Sequence, residues 1–454
     1  NLTTSYSDEA DVFTELIQNA IDAIERRRSD DQDYEGNLTV VLGRRPGSDH
    51  YIYVQDDGTG IAEELVDRIF IPGFSAGKRR GRSIGYKGVG MSYIVAVSNH
   101  LSLITTAGGD SIKRTLVGTH DWVTNSEKPF PAIRASLEVP AVIEGLAEEL
   151  IRGTGVYFAF HSAHEPRSLD HMVVVSQGIE KELQYWASLL CARTPIGRAG
   201  LKGDTATRPI RVRFVLDHGG EEVAERTFSR GVYNMESHSL GYPFPEEVFR
   251  VGVDTSDIDS EADAQRTVRH QGSHQAVFHS WSADEIIEKV GTLQDDEVDL
   301  LNLHLEGVRG YYGHSVTMLA KVKELMGTRA AAVRYGARLV VDGVPQGRPL
   351  ELTLTSDQGL ERQMHIVILL KTVELDTGRK FVSDERLLSA INKLAQRVVS
   401  LLKEYRWALT NRNLAPIASD LRTWISDVEA RVGSSTVPFL FEQNNLTQIG
   451  RAHV

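Results

Sequence analysis

The chain has 454 residues, more than a single hydrophobic core usually supports, so we expect two or three domains. Its hydrophobic fraction of 41% and charged fraction of 25% are typical of a soluble globular protein. The single cysteine, Cys191, excludes an internal disulfide and a thiolate zinc site and favours a cytoplasmic location. No apolar run is long enough to span a membrane, and the net charge of −12 disfavours broad adhesion to DNA or anionic membranes without excluding a local basic patch.

The first predicted element is a helix, because apolar residues recur at helical spacing from Val12 to Ile24. Glu15 and Asn19 are four residues apart, and Asn19 and Asp22 are three apart, so their side chains share one face. A carboxylate and a carboxamide one turn apart offer oxygen ligands for a water and a hard cation. The alternative interpretation is the solvated face of an amphipathic surface helix.

Two strands are predicted next, over 38–42 and 51–55, and the second runs directly into the sequence Asp-Asp-Gly-Thr-Gly-Ile at 56–61. A carboxylate at a strand end can accept a hydrogen bond from an exocyclic amine. The two glycines, Gly58 and Gly60, would let a flat ring approach the backbone closely. The alternative is an ordinary Asp-Gly turn, which is common.

A short helix at 62–70 is followed by a polar, Gly-rich loop and then by a glycine-rich helix start, Gly85-Tyr-Lys-Gly-Val-Gly90. Backbone N–H groups and the helix dipole at such a start favour phosphate, and Lys87 and Ser92 add a charge and a hydroxyl. The basic loop 75–82 would fold over this phosphate as a lid. No βαβ unit surrounds the glycines, so they do not form a dinucleotide fingerprint, and the chain contains no P-loop sequence.

The remaining predicted elements divide the chain into three regions: a first domain at 1–165, a second at 166–410 with an acidic insertion around 237–298, and a C-terminal helix and tail at 411–454. The predicted strands lie at 101–105, 112–117, 156–160, 210–216, 338–341, 351–355 and 364–371, and the predicted helices at 173–193, 300–326, 384–409 and 417–432.

Four ordered motifs resemble those of the GHKL ATPase superfamily, which includes DNA gyrase, the ninety-kilodalton heat-shock chaperone, sensor histidine kinases, MutL and the MORC proteins. The motifs are Glu15-Leu-Ile-Gln-Asn19, Asp56-x-Gly58-x-Gly60, Gly85-x-x-Gly88-x-Gly90 and Gly153-Thr154-Gly155, and they cover about the first 160 residues. The resemblance is closest to MORC-like and chaperone-like members.

The resemblance implies a Bergerat-type site for ATP and Mg²⁺. Glu15 would be the general base, Asn19 the Mg²⁺ ligand, and Asp56 the acceptor for the adenine amine, supported by Thr154 through a water. The residues implied to contact the nucleotide are Asn19, Asp22, Ala23, Asp56, Gly58, Gly60, Ile61, Ser75, Lys78, Gly85, Lys87, Gly88, Val89, Gly90, Met91 and Thr154. Phosphoryl transfer needs mainly positioning and charge neutralisation, which this set can supply.

For the whole chain the resemblance implies an α+β fold, with a Bergerat α/β sandwich, a transducer domain of ribosomal-protein-like βαβ fold, and C-terminal helices. A transducer sends a basic residue to the γ-phosphate, and Lys380 and Arg379 are the candidates, unless they form a solvated basic turn. ATP would drive dimerisation of two identical chains and signal to a protein partner, and a role in bacterial genome or phage defence is one hypothesis.

Two other functions remain open at this stage. One is a non-catalytic, nucleotide-gated clamp or scaffold subunit within a larger complex. The other is a subunit acting on DNA topology or repair, which the acidic net charge disfavours.

Overall fold

The computed structural model describes residues 11–44, 50–71, 74, 89–125, 127–161, 183, 186, 190, 194–197, 209–217, 222–223, 226–227, 231–236, 252–254, 276–313, 336–350, 364–375 and 382–404. In these ranges the chain forms two large, mainly antiparallel β-sheets with helices packed on them. The predicted α+β fold is confirmed.

The first sheet has the strand order β4-β3-β5-β2-β1-β6-β9 in the described part of the chain. Neighbouring strands are antiparallel except β1 and β6, which are parallel. The strands are β1 (Asn37–Arg44), β2 (His50–Asp56), β3 (Ser98–Thr106), β4 (Ile112–Val117), β5 (Gly153–Phe160), β6 (Arg211–Asp217) and β9 (Gly231–Glu236), with a separate ladder of β7 (Glu222–Val223) and β8 (Arg226–Thr227).

Helices cover both faces of this sheet. They are α1 (Asp11–Asp30), α2 (Glu63–Val66), α3 (Val89–Val97), α4 (Thr119–Thr124) and α5 (Ala141–Glu148), with 3₁₀ turns at Arg68–Phe70 and Pro195–Gly197. On one face α1 packs across β1, β2 and β5 and contacts α3, and its side chains Phe13, Ile17 and Ile21 lie in the larger core. On the other face Ile143 and Leu146 of α5 cover a smaller core. The layers form an α/β sandwich.

The second sheet has the order β10-β11-β12-β15-β13-β14 within the described residues. Its strands are β10 (Gly252–Asp254), β11 (Ala276–Ser282), β12 (Leu305–Gly313), β13 (Gly336–Val341), β14 (Val344–Leu350) and β15 (Met364–Leu370). The helices α6 (Ala283–Val290), α7 (Asp295–His304) and α8 (Glu385–Glu404) bury their apolar faces against one side of it. This sheet therefore has a hydrophobic core of its own.

Most strands that border the first motifs lie where the sequence predicts them, but the predicted helix at 300–326 is wrong over 305–313. The described helix ends at His304, and the chain continues as β12, where Val308 and Tyr312 lie in the core of the second sheet. The helix was predicted from the spacing of Leu319, Val322 and Leu325, which lie outside the described residues, and it was extended back over a segment that forms a strand. The sequence analysis also missed β14, and the predicted strand at 351–355 and helix at 417–432 lie outside the described residues.

Two features of the sheets bear on the predicted boundaries. Strands β6 and β9 extend the first sheet, so this sheet continues past residue 165. The stretch 237–298, predicted as an insertion, contains β10, β11 and α6, and these elements belong to the second sheet and its core. None of the described helices is both long enough and apolar enough to cross a membrane.

Candidate functional site

The polar face of α1 is turned into the protein. Glu15 and Asp22 are each 5% exposed, and Asn19 is half-buried. Glu15 and Asp22 are seven residues apart, which is close to two helical turns, so they share one side of α1. Because both carboxylates are buried, the alternative of a solvated surface face is wrong for them. Burying a charge is costly unless other groups compensate it.

The second motif lies at the end of β2, beside the ends of two neighbouring strands. Asp56 pairs with Thr154 at the start of β5, and Thr154 pairs on its other side with Thr105 near the end of β3. All three residues are buried. The structure thus brings together Asp56 and Thr154, 98 positions apart in the sequence, as two adjacent members of one polar row.

Burial raises the pKa of the Asp56 carboxyl from 3.8 to about 7. The backbone N–H of Gly58 donates to Asp56 Oδ1 at 2.8 Å, and this bond lowers the pKa of Asp56, as does a backbone hydrogen bond from Thr154. The charge of Asp57 acts in the opposite direction and raises the pKa of Asp56 further. A perturbed carboxyl at the end of a strand, in a row of polar groups, is typical of a functional site.

The glycines that follow Asp56 hold the loop close to its neighbours. A Cβ atom on Gly58 would lie 2.5 Å from the carbonyl carbon of Ala23 in α1, and one on Gly60 would collide with the carbonyl group of Thr106. The N–H of Ile61 donates to Thr105 Oγ1 at 2.9 Å. The loop is therefore fixed between α1 on one side and the end of β3 on the other.

The start of α3 lies at the other end of the polar face of α1. A Cβ atom on Gly90 would collide with the Oε2 atom of Glu15, so the carboxylate lies directly against the first turn of α3. Met91 packs against the larger core, and Ser92 is buried. From Glu15 to Ala23 the helix rises roughly 12 Å at 1.5 Å per residue. The Asp56 loop and the start of α3 thus contact α1 about two turns apart.

The acid next to Asp56 has a different environment. Asp57 accepts hydrogen bonds from the backbone N–H of Asn37 at 2.7 Å, from its side-chain amide at 2.5 Å, and from the Tyr34 hydroxyl. The Asp57 carbonyl accepts from Tyr34 at 2.8 Å and from Arg27 at 2.5 Å, and the Arg27 guanidinium lies 4.0 Å from the centre of the Tyr34 ring. Asp57 therefore ties the Asp56 loop to the end of α1 and the start of β1.

Several predicted site residues lie outside the described part of the chain. They are Ser75, Lys78, Gly85, Lys87 and Gly88 of the lid and phosphate motif, and Arg379 and Lys380 of the second domain. Val89 begins α3, but its side chain is not among those described. Their roles remain predictions.

The sequence analysis missed Thr105, whose hydroxyl contacts both Ile61 and the start of β5. A signal for it was present, since Thr105 and Thr106 are polar residues that directly follow the apolar residues Leu103 and Ile104 at the end of a strand. Tyr34 and Asn37 were also missed. Tyr34 lies in a charged linker, where polar residues are expected for other reasons, and Asn37 is the first residue of β1.

The comparison with known families agrees with this geometry. Residues 9–128 match the family model described as histidine kinase-, DNA gyrase B-, and HSP90-like ATPases. This segment is a GHKL-type ATPase domain, and it contains α1, the Asp56 loop and α3. The match ends before β5, so Thr154 joins the site through the strand pairing alone. No curated protein was found to match the chain.

Proposed function

We propose that this protein is a slow, Mg²⁺-dependent ATPase whose nucleotide lies along α1, with its base at Asp56 and its phosphates at the start of α3. The observation that carries the proposal is the contact between the buried Glu15 carboxylate and Gly90. At the end of the proposed site near α3, this contact places a carboxylate against a helix N-terminus, where backbone N–H groups favour phosphate.

At the base end, Asp56 in its ionised form accepts from the exocyclic amine of adenine, with Thr154 beside it. Gly58 and Gly60 carry no side chain that would occupy the space next to the ring. Asp22, Ala23, Ile61 and Met91 line the path between the two ends. Burial of Asp56 supports its role, because a hydrogen bond to a charged acceptor is strongest where water is excluded.

At the phosphate end, Glu15 accepts a proton from the attacking water as the general base. Asn19, one turn further along α1 and half-buried, offers the carboxamide oxygen that Mg²⁺ prefers in proteins. When bound, Mg²⁺ supplies charge neutralisation on the phosphates. Gly85, Lys87, Gly88, Val89 and Gly90 cradle the phosphates, and Ser75 and Lys78 cover them from the lid.

The bound nucleotide is proposed to control the conformation and the assembly of the chain. ATP orders the lid and drives dimerisation of two copies of the chain. The second sheet with its helices acts as a transducer, with Lys380 or Arg379 sensing the γ-phosphate, and passes the state of the site to a protein partner. A MORC-like or chaperone-like role, in a system such as bacterial genome or phage defence, is part of the same proposal.

Replacing Glu15 with glutamine tests the proposed chemistry. Glu15→Gln removes the base but keeps the shape of the side chain, so ATP hydrolysis should fall by roughly 100-fold or more while the affinity for ADP stays within about twofold. Phosphate release and calorimetric titration measure the two quantities. Glu144→Gln, the same change at an exposed position of α5, is the control and should leave both unchanged. Wild-type turnover in Glu15→Gln would exclude Glu15 as the base.

The same variant separates hydrolysis from assembly. With ATP and Mg²⁺, Glu15→Gln should accumulate as a dimer in light scattering, because it binds ATP without consuming it. A protein that stays monomeric with ATP in both the wild-type and variant forms would exclude nucleotide-driven dimerisation.

A further inference from the structure

The Thr105 hydroxyl lies where three segments of the candidate site meet. Thr105 is fully buried near the end of β3 and is paired with Thr154 of β5, which is paired in turn with Asp56 of β2. Its Oγ1 donates to the carbonyl of Gly153 at 3.0 Å, accepts from the N–H of Ile61 at 2.9 Å, and lies 3.0 Å from Thr154 Oγ1. One hydroxyl thus joins the loop after Asp56 to the start of β5.

Counting protons assigns a direction to the bond between the two threonines. A hydroxyl has one proton to donate and two lone pairs that accept. The proton of Thr105 goes to Gly153, and one of its lone pairs is used by Ile61. The distance of 3.0 Å between the two hydroxyl oxygens allows either threonine to be the donor. Because Thr105 has only its second lone pair left for this bond, the proton count assigns the donor role to Thr154 Oγ1.

This direction determines which chemical groups Thr154 can bind. With its proton committed to Thr105, the Thr154 hydroxyl has only lone pairs left for a ligand or a bridging water. The ionised carboxylate of Asp56, next to it in the row, is also an acceptor only. The two groups together form a wall of acceptors at the base end of the proposed site. A 6-amino group offers two N–H donors to such a wall, whereas a 6-oxo group places a carbonyl oxygen against it and, in hypoxanthine, leaves N1–H as the one donor on that edge.

We propose that Thr105 is a positioning residue that sets base specificity: it holds the Thr154 hydroxyl as an acceptor, so that the site selects a 6-amino purine over a 6-oxo purine. This inference rests on the proposed nucleotide site. Discrimination arises because an unmatched acceptor in a buried site loses its water without gaining a donor. Without the Thr105 hydroxyl, Thr154 is free to turn its proton toward the ligand and to donate to a 6-oxo group.

The test compares ADP and IDP, which differ at the purine 6-position, by calorimetric titration at pH 8, where Asp56 is mainly ionised. The wild type should bind ADP at least tenfold more tightly than IDP. Thr105→Val keeps the shape and removes the hydroxyl, and it should reduce this ratio by about tenfold, which corresponds to about 1.4 kcal/mol. Thr105→Ser restores the hydroxyl and should keep the wild-type ratio within about twofold.

The ratio separates specificity from structural damage. A Thr105→Val protein that binds both nucleotides more weakly by the same factor, with an unchanged ratio, would show a purely structural role and overturn the inference. Thr154→Val removes the acceptor itself, so it should lower the ratio in the same way, and adding Thr105→Val to it should lower the ratio no further. If Thr105→Val does not fold, the Thr154→Val variant provides the test. An unchanged ratio of ADP to IDP affinity in Thr154→Val would overturn the inference.

Failure of the proposed function would look different. A wild-type protein that binds neither ADP nor IDP overturns the nucleotide site and the inference with it. A wild-type protein that binds both nucleotides equally keeps the nucleotide site and overturns the specificity claim alone.

Discussion

At the scale of single residues, the two adjacent acids of the second motif have separate tasks. Asp57 accepts hydrogen bonds from Asn37 and Tyr34 and holds the loop in place. Asp56 is buried at the strand end, and its pKa is raised to about 7, mainly by burial. A carboxylate that is costly to ionise without a ligand gains most from a donor that arrives with the ligand.

This raised pKa predicts a pH dependence of nucleotide binding. In the proposed site the ionised form of Asp56 is the acceptor for adenine. With a pKa of about 7, the population of this form rises with pH through neutrality. The affinity for ADP should therefore increase by roughly tenfold between pH 6 and pH 8 and then level off. Calorimetric titration across this range measures it, and an affinity that falls as the pH rises would contradict the assignment.

Asp57→Asn provides the control for that experiment, because the phosphates of ADP also titrate near neutrality. The charge of Asp57 raises the pKa of Asp56, and removing it should move the midpoint of the binding curve to lower pH. A midpoint that does not move would indicate that the phosphates, and not Asp56, cause the pH dependence.

The contact between Gly90 and Glu15 makes a second prediction at this scale. In Gly90→Ala the added methyl group would collide with the Glu15 carboxylate and displace it, so hydrolysis should fall by roughly 10- to 100-fold. Binding of ADP should weaken as well, because Gly90 is one of the residues proposed to cradle the phosphates. Gly145→Ala in α5 is the matched control, since its added Cβ would contact nothing within 4 Å, and it should keep full activity. Equal activity of the two variants would argue against a catalytic position for Glu15.

At the scale of elements, sequence reasoning succeeded where local patterns dominate. The strands β1, β2, β3 and β4 and the helices α1 and α8 follow clear periodicity, and the glycines mark the loop after Asp56 and the start of α3. It failed for β12, where large apolar residues between glycines fit either periodicity. A strand is assigned from its pairing with neighbouring strands. The neighbours of β12 are β11 and β15, and β15 is more than 50 residues away in the sequence.

Part of the site depends on pairing between distant strands, and this part could not be read from the sequence without the family resemblance. The position of Thr154 beside Asp56 comes from the register of β2 with β5. The role of Thr105 comes from the register of β3 with β5. Neither register leaves a local signal, because a shift of two residues would preserve the same alternation of faces. The Bergerat-type motifs supplied Thr154 but not Thr105.

The helices on the second sheet are joined by an ion pair that gives a prediction about stability. Lys393 of α8 donates to both carboxylate oxygens of Glu297 in α7 at 2.7 Å, and this bond lowers the pKa of Glu297. A carboxyl with a lowered pKa stabilises the fold above its ordinary value of 4.5, and this contribution is lost as the pH falls through the lowered value.

Glu297→Gln should therefore lower the thermal unfolding midpoint by a few degrees at pH 7, and the difference from wild type should shrink toward pH 3. Asp296→Asn removes the exposed partner of Arg386, at 3.6 Å, and serves as the control with little expected effect. Calorimetry at both pH values tests this. If the thermal unfolding midpoint of Glu297→Gln falls further below that of the wild type as the pH is lowered, the ion pair is not the cause of the difference.

At the scale of the whole molecule, the described contacts of the candidate site belong to the first sheet and its helices. Asp56, Thr105 and Thr154 lie at strand ends, and Glu15 and Ala23 lie on the helix that packs across the same strands. The second sheet has a hydrophobic core of its own. The acidic net charge of the chain directs the search for partners toward proteins before DNA.

Asp56 is the central residue of the proposed site, as the acceptor for the base, and titration of the Asp56→Asn variant with ADP tests this role. The variant keeps the size of the side chain but replaces the carboxylate with an amide. The affinity for ADP at pH 8 should fall on the order of 100-fold, since a buried charged acceptor is lost and an amide donor can face the amine. Asp30→Asn, an exposed change on α1, should bind like the wild type. Wild-type affinity in a folded Asp56→Asn protein would contradict the proposed site.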